Sequence, residues 1–336
     1  MKLLVFLIAI VLILPVASQG QQVDSELDQV GAEVAAGDFD KAIAALNEII
    51  KKHPDQARAY LLRSNLRMGT DIAGAFADIN KAIQLKPAMG EAYYQRATLR
   101  YVSNDVAGAL KDLDQSIASD FKTSVVYSFR GQLRYQQGDT KGALGDLDES
   151  IKINANDPRV YASRGAVLLS LNEFERAYTD LNYLLNWYET EPNKRLAATY
   201  PAPGDKELVP AIASSYLNRG VINSSRGNSD AAINDFTKSI RLDAKNGKAY
   251  SLRANELVAT GDLEAALADV SRAIQLDPLN PTLRVEHGGI LTLLGNTEDA
   301  QLDFDMVLKA DPAVWQKRID ERIEALRKLA GSRQEQ

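Results

Sequence analysis

The chain carries two histidines, His53 and His287, and no cysteine. Thiolate catalysis, disulfides and cysteine metal sites therefore lie outside its chemistry. The histidines fall in different segments, so a paired-histidine metal site is not expected, and no metal or cofactor is assigned. His53 closes a helical stretch, where a cation suits the negative end of the helix dipole. No Gly-x-Ser-x-Gly elbow, phosphate-binding Gly-x4-Gly-Lys-Ser/Thr loop or His-Glu-x-x-His pair occurs. Arginine and aspartate, in contrast, recur at regular places. Arginine stands at Arg63, Arg96, Arg130, Arg164, Arg219 and Arg253, with His287 one step further; aspartate stands at Asp78, Asp112, Asp146, Asp180, Asp235, Asp269 and Asp303. Acid–base catalysis needs carboxylates in unlike environments, whereas a repeated Arg/Asp pattern predicts a structural ladder of ion pairs. The pairing could run within a repeat or between neighbours; a charged recognition stripe is the alternative reading. The expectation is a protein that is not an enzyme, with no catalytic residue. A carboxylate-only hydrolase is the remaining enzymatic alternative.

The elements that position the ladder follow from a second recurrence. Alanine falls at Ala42, Ala75, Ala109, Ala143, Ala177, Ala232, Ala266 and Ala300, in steps of 33, 34, 34, 34, 55, 34 and 34 residues. The long step is 34 plus 21, one insertion. A period near 34 is that of a solenoid of helical hairpins. In Gly247 to Asn280, Tyr250, Ala254 and Leu257 lie at i, i+4, i+7, one face of a first helix; Ala266, Val270, Ala273 and Ile274 form the matching face of a second. Gly261 suits a turn of positive φ, Asp262 can cap the second helix, and Pro278 ends the pair. Ala254 and Ala266 are small where two antiparallel helices approach closely. Elsewhere tyrosine opens the first helix (Tyr60, Tyr93, Tyr127, Tyr161, Tyr216) and a small residue follows four later (Ser64, Ala97, Gly131, Gly165, Gly220).

This pattern resembles the tetratricopeptide repeat family over roughly residues 23 to 314, as about eight units. Tyrosine replaces the family's first tryptophan. The closing proline is present at Pro54, Pro87, Pro278 and Pro312, and Phe121, Ala155 and Ala244 stand in its place in middle units. The resemblance implies an all-α, right-handed superhelical solenoid of antiparallel helix pairs. Units one to five span 23–191, an inserted loop 192–212, units six to eight 213–314, a capping helix 315–330 and a polar tail 331–336. The first unit lacks its tyrosine and is expected to act as an N-terminal cap or to fray. Trp315, Ile319, Ile323, Leu326 and Leu329 make the apolar stripe of the capping helix. The resemblance also implies a concave groove lined by first helices that binds a peptide or a partner helix. Its candidates are Tyr94, Gln95, Phe129, Gln132, Arg159, Asn218, Lys248 and Asn255. Arg58, Leu61, Asn65, Tyr101, Tyr135 and Leu252 lie at the same phase. The lysine and asparagine pairs with which one subclass clamps a C-terminal carboxylate are not present.

Lys2, the apolar run Leu3 to Leu14, Pro15 and the small residues to Gly20 form a signal-peptide pattern over residues 1–20. The expected location is periplasmic or extracellular, with no membrane insertion after cleavage; the alternative is anchoring by an uncleaved apolar segment. The formal net charge of −6 and the lack of a basic run argue against a nucleic-acid partner. The insertion contains four prolines and Tyr200, and is read as a rim loop that starts the next helix at Pro210, or as a partner contact. Asn223-Ser224-Ser225 matches a glycosylation acceptor but falls at a packing position. The function expected is a protein–protein scaffold or adaptor for a partner of unknown identity. A structural assembly or export factor of the cell envelope (secretion, pilus or polysaccharide machinery) is the alternative. Self-association is open to the exposed faces of such a solenoid.

Overall fold

A polar turn between two amphipathic runs makes each hairpin of this chain. The computed structural model describes residues 21–190, 205–309 and 311–331. The signal-peptide pattern, Tyr200 with most of the insertion, and the polar tail from 332 on lie outside them. Seventeen helices occur among the described residues. They are α1 (Gln21–Ala35), α2 (Phe39–Lys52), α3 (Ala57–Arg67), α4 (Ile72–Leu85), α5 (Gly90–Val102), α6 (Val106–Ala118), α7 (Ser124–Gln136), α8 (Thr140–Ile153), α9 (Pro158–Ser170) and α10 (Phe174–Thr190). After the insertion come α11 (Asp205–Ser225), α12 (Ser229–Leu242), α13 (Gly247–Thr260), α14 (Leu263–Leu276), α15 (Pro281–Leu293), α16 (Thr297–Leu308) and α17 (Pro312–Gly331). The chain divides after Val160, early in α9, into two compact bodies.

The same local chemistry builds the hairpins of both bodies. Gly261 adopts φ +83°, and the Asp262 carboxylate accepts from the Ala265 amide at 3.2 Å. Asp105 and Asp139 cap α6 and α8 in the same way. The α3–α4 turn lacks the left-handed residue that Asn104 and Gly138 supply to later turns, and Asp71 caps α4 directly. From Arg67 to the cap Asp71 the chain is one residue shorter than from Arg100 to Asp105, which accounts for the single 33-residue step in the alanine spacing.

The marker alanines are sealed: Ala42, Ala75, Ala109, Ala143, Ala177, Ala232 and Ala266 are each 0% exposed. Where the second helix carries a phenylalanine, the small residue on the first helix is glycine. Gly220 and Gly288 face Phe236 and Phe304, where an added Cβ would come within 2.6 Å of the ring. Ala97 and Ala254 instead share clusters with Leu113 and Val270, which are smaller. Close-packed interiors enforce such volume exchange. Ser116, Ser150 and Ser239 on second helices donate to the carbonyls of Gly90, Ser124 and Ala213 at 2.8 Å each, tying the two helices of a hairpin, at the opening turn of the first in α5 and α7.

In the first body, α1 is helical from Gln21 and buries Val30 against Ala42, Leu46, Ile49 and Ala59, so the first unit is a formed cap. In the second body the helices flanking the insertion are extended. Trp187, Tyr188 and Leu208 pack on a buried cluster of Leu184, Leu185, Ile212 and Tyr216. The expectation that a helix starts at Pro210 is corrected: α11 starts at Asp205 and Pro210 lies inside it. Packing on Ile212 and Tyr216 carries the helix past the hydrogen bond that proline cannot make. Asn223 is buried and donates to Asp235 at 2.9 Å, so the glycosylation match is internal.

Candidate functional site

The arginine–aspartate ladder closes both within a unit and between units. Arg96 donates from Nε and Nη2 to the two oxygens of Asp112, at 2.9 and 2.7 Å, and from Nη1 to Asn80 of the preceding second helix at 2.8 Å. Its guanidinium also lies over the Tyr93 ring, 5.4 Å from the centroid. One side chain thus joins three helices, a task suited to a planar multi-donor fork. Arg63 repeats this with Asp78 and Asn47, and Arg130 with Asp146 and Asp114. In the second body, Arg219 holds Asp235 and Asn182, and Arg253 holds Asp269 and Thr237. Arg164 meets Asp180 at 2.7 Å. The Asp112 and Asp269 hydrogen bonds hold the Arg96 and Arg253 guanidiniums above their usual range. The aspartates are nearly inaccessible, 4% for Asp78 and 2% for Asp235, so the ladder is internal framework rather than a recognition stripe.

The bodies differ at the residue four after each ladder arginine. In the first body it is a second arginine: Arg67, Arg100 and Arg134 reach Asp78, Asp112 and Asp146 at 2.9, 2.8 and 2.9 Å. In the second body Asn223 takes the place beside Asp235, and Leu257 the place beside Asp269.

His287 rebuilds the rung with an imidazole. Its Nδ1 lies 2.6 Å from Asp303 Oδ2 and its Nε2 lies 3.0 Å from Ser271 Oγ. The atoms fall in the order of a Ser–His–Asp triad, a constellation the spacing of Ser271, His287 and Asp303 could have revealed. However, Ser271 Oγ also lies 2.8 Å from the Leu267 carbonyl, and the serine sits mid-helix where backbone N–H groups are spent on the helix. Acyl transfer needs donors aimed at an oxyanion, and a mid-helix serine has none beside it. The arrangement is the ladder's own geometry. Among the described residues, no cluster of three or more His, Cys, Asp or Glu could hold a metal ion.

The groove candidates fall on two separate faces, one in each body. On α5 and α7, Tyr94 and Phe129 meet edge-to-face at 6.4 Å, Tyr101 meets Phe129 at 5.5 Å, and Phe121 lies 6.2 Å from Tyr94. Val126 and Leu133 seal this cluster from below. Around it Gln132 and Tyr135 are exposed, as are Val102 and Val125 at 41% and 47%. Both valines were missed by sequence reasoning; their phase on the first helix was the available signal. Burial pushes the Tyr94 phenol above its usual range, with Thr98 and Arg159 acting the other way. Arg159 is exposed, and binds Asp157 at 2.8 Å.

Three expectations are corrected here. Gln95 is 0% exposed, Leu61 likewise, and Asn65 is 7% exposed, so none of them reaches the surface. Adjacent first helices close over this phase and turn it into core. Neither amide atom of Gln95 has a hydrogen-bond partner.

In the second body, Lys248 is exposed and Asn218 half-buried, while Leu252 joins the Leu217–Phe236 cluster. Asn255 accepts from Arg322 of α17. The capping helix lies across α13 and α15 as well as against α16. Its expected stripe is the buried one: Ile319 packs with Val285 and Phe304, and Leu326, 0% exposed, with Ala254, Val258 and Ile290. Arg322 also approaches Glu286 at 3.8 Å, and Glu286 accepts from Ser251 at 2.8 Å. Burial raises the Glu286 carboxyl above its usual range, against the pull of Arg322 and Ser251. Sequence reasoning missed Glu286 and Arg322; an acid and an arginine in or beside otherwise apolar faces were the available signal.

Sequence models of the tetratricopeptide repeat match residues 27–90, 213–246 and 251–314. No curated protein matches the chain in sequence. Among solved structures, the APC/C hetero-tetramer Cut9–Hcn1 aligns with TM-score 0.55 and 17% identity over 78% of this chain, which spans 48% of that one. Pseudomonas aeruginosa pilF aligns with TM-score 0.54 and 15% identity over 69% of this chain and 97% of that one. PilW, a type IV pilus biogenesis factor, aligns with TM-score 0.52 and 16% identity over 70% and 97%. At these identities the likeness is one of fold.

Proposed function

From a chain that belongs to the tetratricopeptide repeat family, we propose a scaffold or adaptor that binds a peptide or partner helix on its first-helix faces. The observation that carries this reading is the α5–α7 face. Its Tyr94, Phe129 and Tyr101 form a preorganised aromatic floor between exposed Gln132, Tyr135, Val102 and Val125. Aromatic side chains give large contact area at low entropic cost, and an amide can pair with an extended backbone or a helix end. The reading assigns no catalysis: the repeated charged groups are consumed in the ladder. Cross-linked capture of the chain from its native compartment tests it. Cross-links near Tyr94 and Phe129 to one recurring protein, lost in a Tyr94→Ala, Phe129→Ala, Gln132→Ala variant, are the expected result. Undiminished capture by that variant, or links only to the insertion, refutes it.

The apolar run after Lys2 favours a second reading, an exported assembly factor of the cell envelope. Its structural neighbours include a pilus biogenesis factor. None of the described helices is long and apolar enough to cross a membrane. Stoichiometric co-purification with a membrane complex separates this role from transient adaptor binding.

A further inference from the structure

The face made by α13 and α15 has the same repeat phase as the aromatic face but opposite content. Counting the repeats, Glu286 stands where Phe129 stands and Gly289 where Gln132 stands. The result is a socket with a part-buried acid beside it. Both are filled from α17. A Cβ on Gly289 would lie 2.6 Å from Leu326 Cδ1, so the socket fits one leucine knob. Arg322 reaches Asn255 and Glu286 beside it.

The filling is imperfect. Arg322 Nε is buried without a hydrogen-bond partner. Glu286 remains desolvated enough that burial outweighs its cation. A cleft of about 290 Å³ stays open between α15 and α17, beside Val285, Trp315 and Arg318. A buried donor left unpaired carries an uncompensated desolvation penalty, and an ion pair at 3.8 Å compensates its desolvation poorly.

We propose that the α13–α15 face is a docking surface for an amphipathic helix bearing a leucine four residues after an arginine, and that α17 is its resident, displaceable occupant. This rests on the partner-binding reading above and names the chemistry of the partner at this second face. The acidic Glu286 and the Gly289 socket select the arginine and the leucine, as Arg322 and Leu326 already show. A tethered helix competes at an effective concentration on the order of millimolar. Any external helix therefore binds with its affinity reduced by the fraction of time that α17 is seated.

The test uses the full chain and a labelled synthetic peptide of residues 312–331 as probe. Leu326→Asp in the chain unseats α17, read as loss of hydrogen-exchange protection over 312–331 with 205–309 still protected. The peptide is expected to bind this variant at least tenfold more tightly than the unaltered chain. Adding Gly289→Leu, which fills the socket, is expected to abolish that binding. Arg322→Glu provides a second, milder release should Leu326→Asp unfold the neighbouring helices. Equal or absent peptide binding across the unaltered chain and both release variants overturns the proposal, as does full protection of 312–331 in both. The partner-binding reading stands or falls separately, because its test alters only Tyr94, Phe129 and Gln132.

Discussion

On α5 and α7 the repeat presents Phe129 and Gln132; at the same phase on α15 it presents Glu286 and Gly289. The first pair builds a floor out of its own side chains, with Tyr94 and Tyr101 packed on Phe129. The second pair leaves a socket and a part-buried acid that α17 completes with Leu326 and Arg322. The two faces hang on the same kind of rung, so the framework does not decide which face is open. Side-chain volume does. A large aromatic at this phase fills the face with its own ring, whereas a glycine leaves room for a knob from elsewhere in the chain.

The framework itself is where the largest effects are expected. Asp146→Ala takes the buried carboxylate from two guanidiniums, Arg130 and Arg134, leaving them only the exposed Asp114 and Asp139, whereas Asp269→Ala takes it from Arg253 alone. Loss of one partner of a buried pair costs roughly 3–5 kcal/mol. Urea unfolding should place Asp146→Ala near the top of that range and Asp269→Ala near the bottom. The double change Arg130→Met, Asp146→Ala should recover part of the loss. Equal losses at the two aspartates would show that the second arginine of the first body contributes nothing.

The next effect separates the two faces directly. Leu326→Ala empties a fully buried site and should cost about 2–5 kcal/mol, read as faster hydrogen exchange in α17. Phe129→Ala removes a half-buried ring and its two edge-to-face contacts, about 0.5–1.5 kcal/mol for each such pair beyond burial. It should therefore cost less. A larger cost at Phe129 would mean that the aromatic face is core rather than binding surface.

Gln95 offers a change in the opposite direction. Its buried amide has no partner, and an unsatisfied polar group of this kind costs about 1–3 kcal/mol. Gln95→Leu should raise the melting temperature, with no change in partner capture. A drop would show that a hydrogen bond to the amide forms in solution.

The smallest effect concerns pH. Burial raises the folded-state pKa of Glu286 above its ordinary 4.5. The folded chain thus binds this proton more readily than the unfolded chain, and stability rises as pH falls through the raised value toward 4.5. Glu286→Gln should flatten that part of the stability profile of the C-terminal helices. An unchanged slope would show that Arg322 neutralises the acid fully.

Much of this was legible residue by residue. Ala266, Val270 and Ala273 announced the buried face of α14 by spacing alone, because helical periodicity fixes a face locally. Trp315, Ile319, Ile323 and Leu326 did the same for α17. Gly261 and Asp262 announced their turn, since few residues accept positive φ or cap a helix. Gln95 was misread because its phase matches that of Phe129, and only the neighbouring first helices decide that one is sealed and the other is not. Pro210 was misread as a start because proline usually is one. Packing of Ile212 and Tyr216 on α10 instead carries the helix through it.

The amino-acid sequence by itself determined the repeat, the helix pairs, the family and the residue types of the ladder, because each depends on spacing within about 34 residues. Tertiary structure alone decided that Arg63, Arg96, Arg130, Arg219 and Arg253 each bridge two units, that His287 takes up both arms of its rung, and that α17 lies across α13 and α15. Those contacts join residues 16 to 67 positions apart. Their energy depends on how neighbouring helices exclude water from a face, a property of the packed array that no single helix carries.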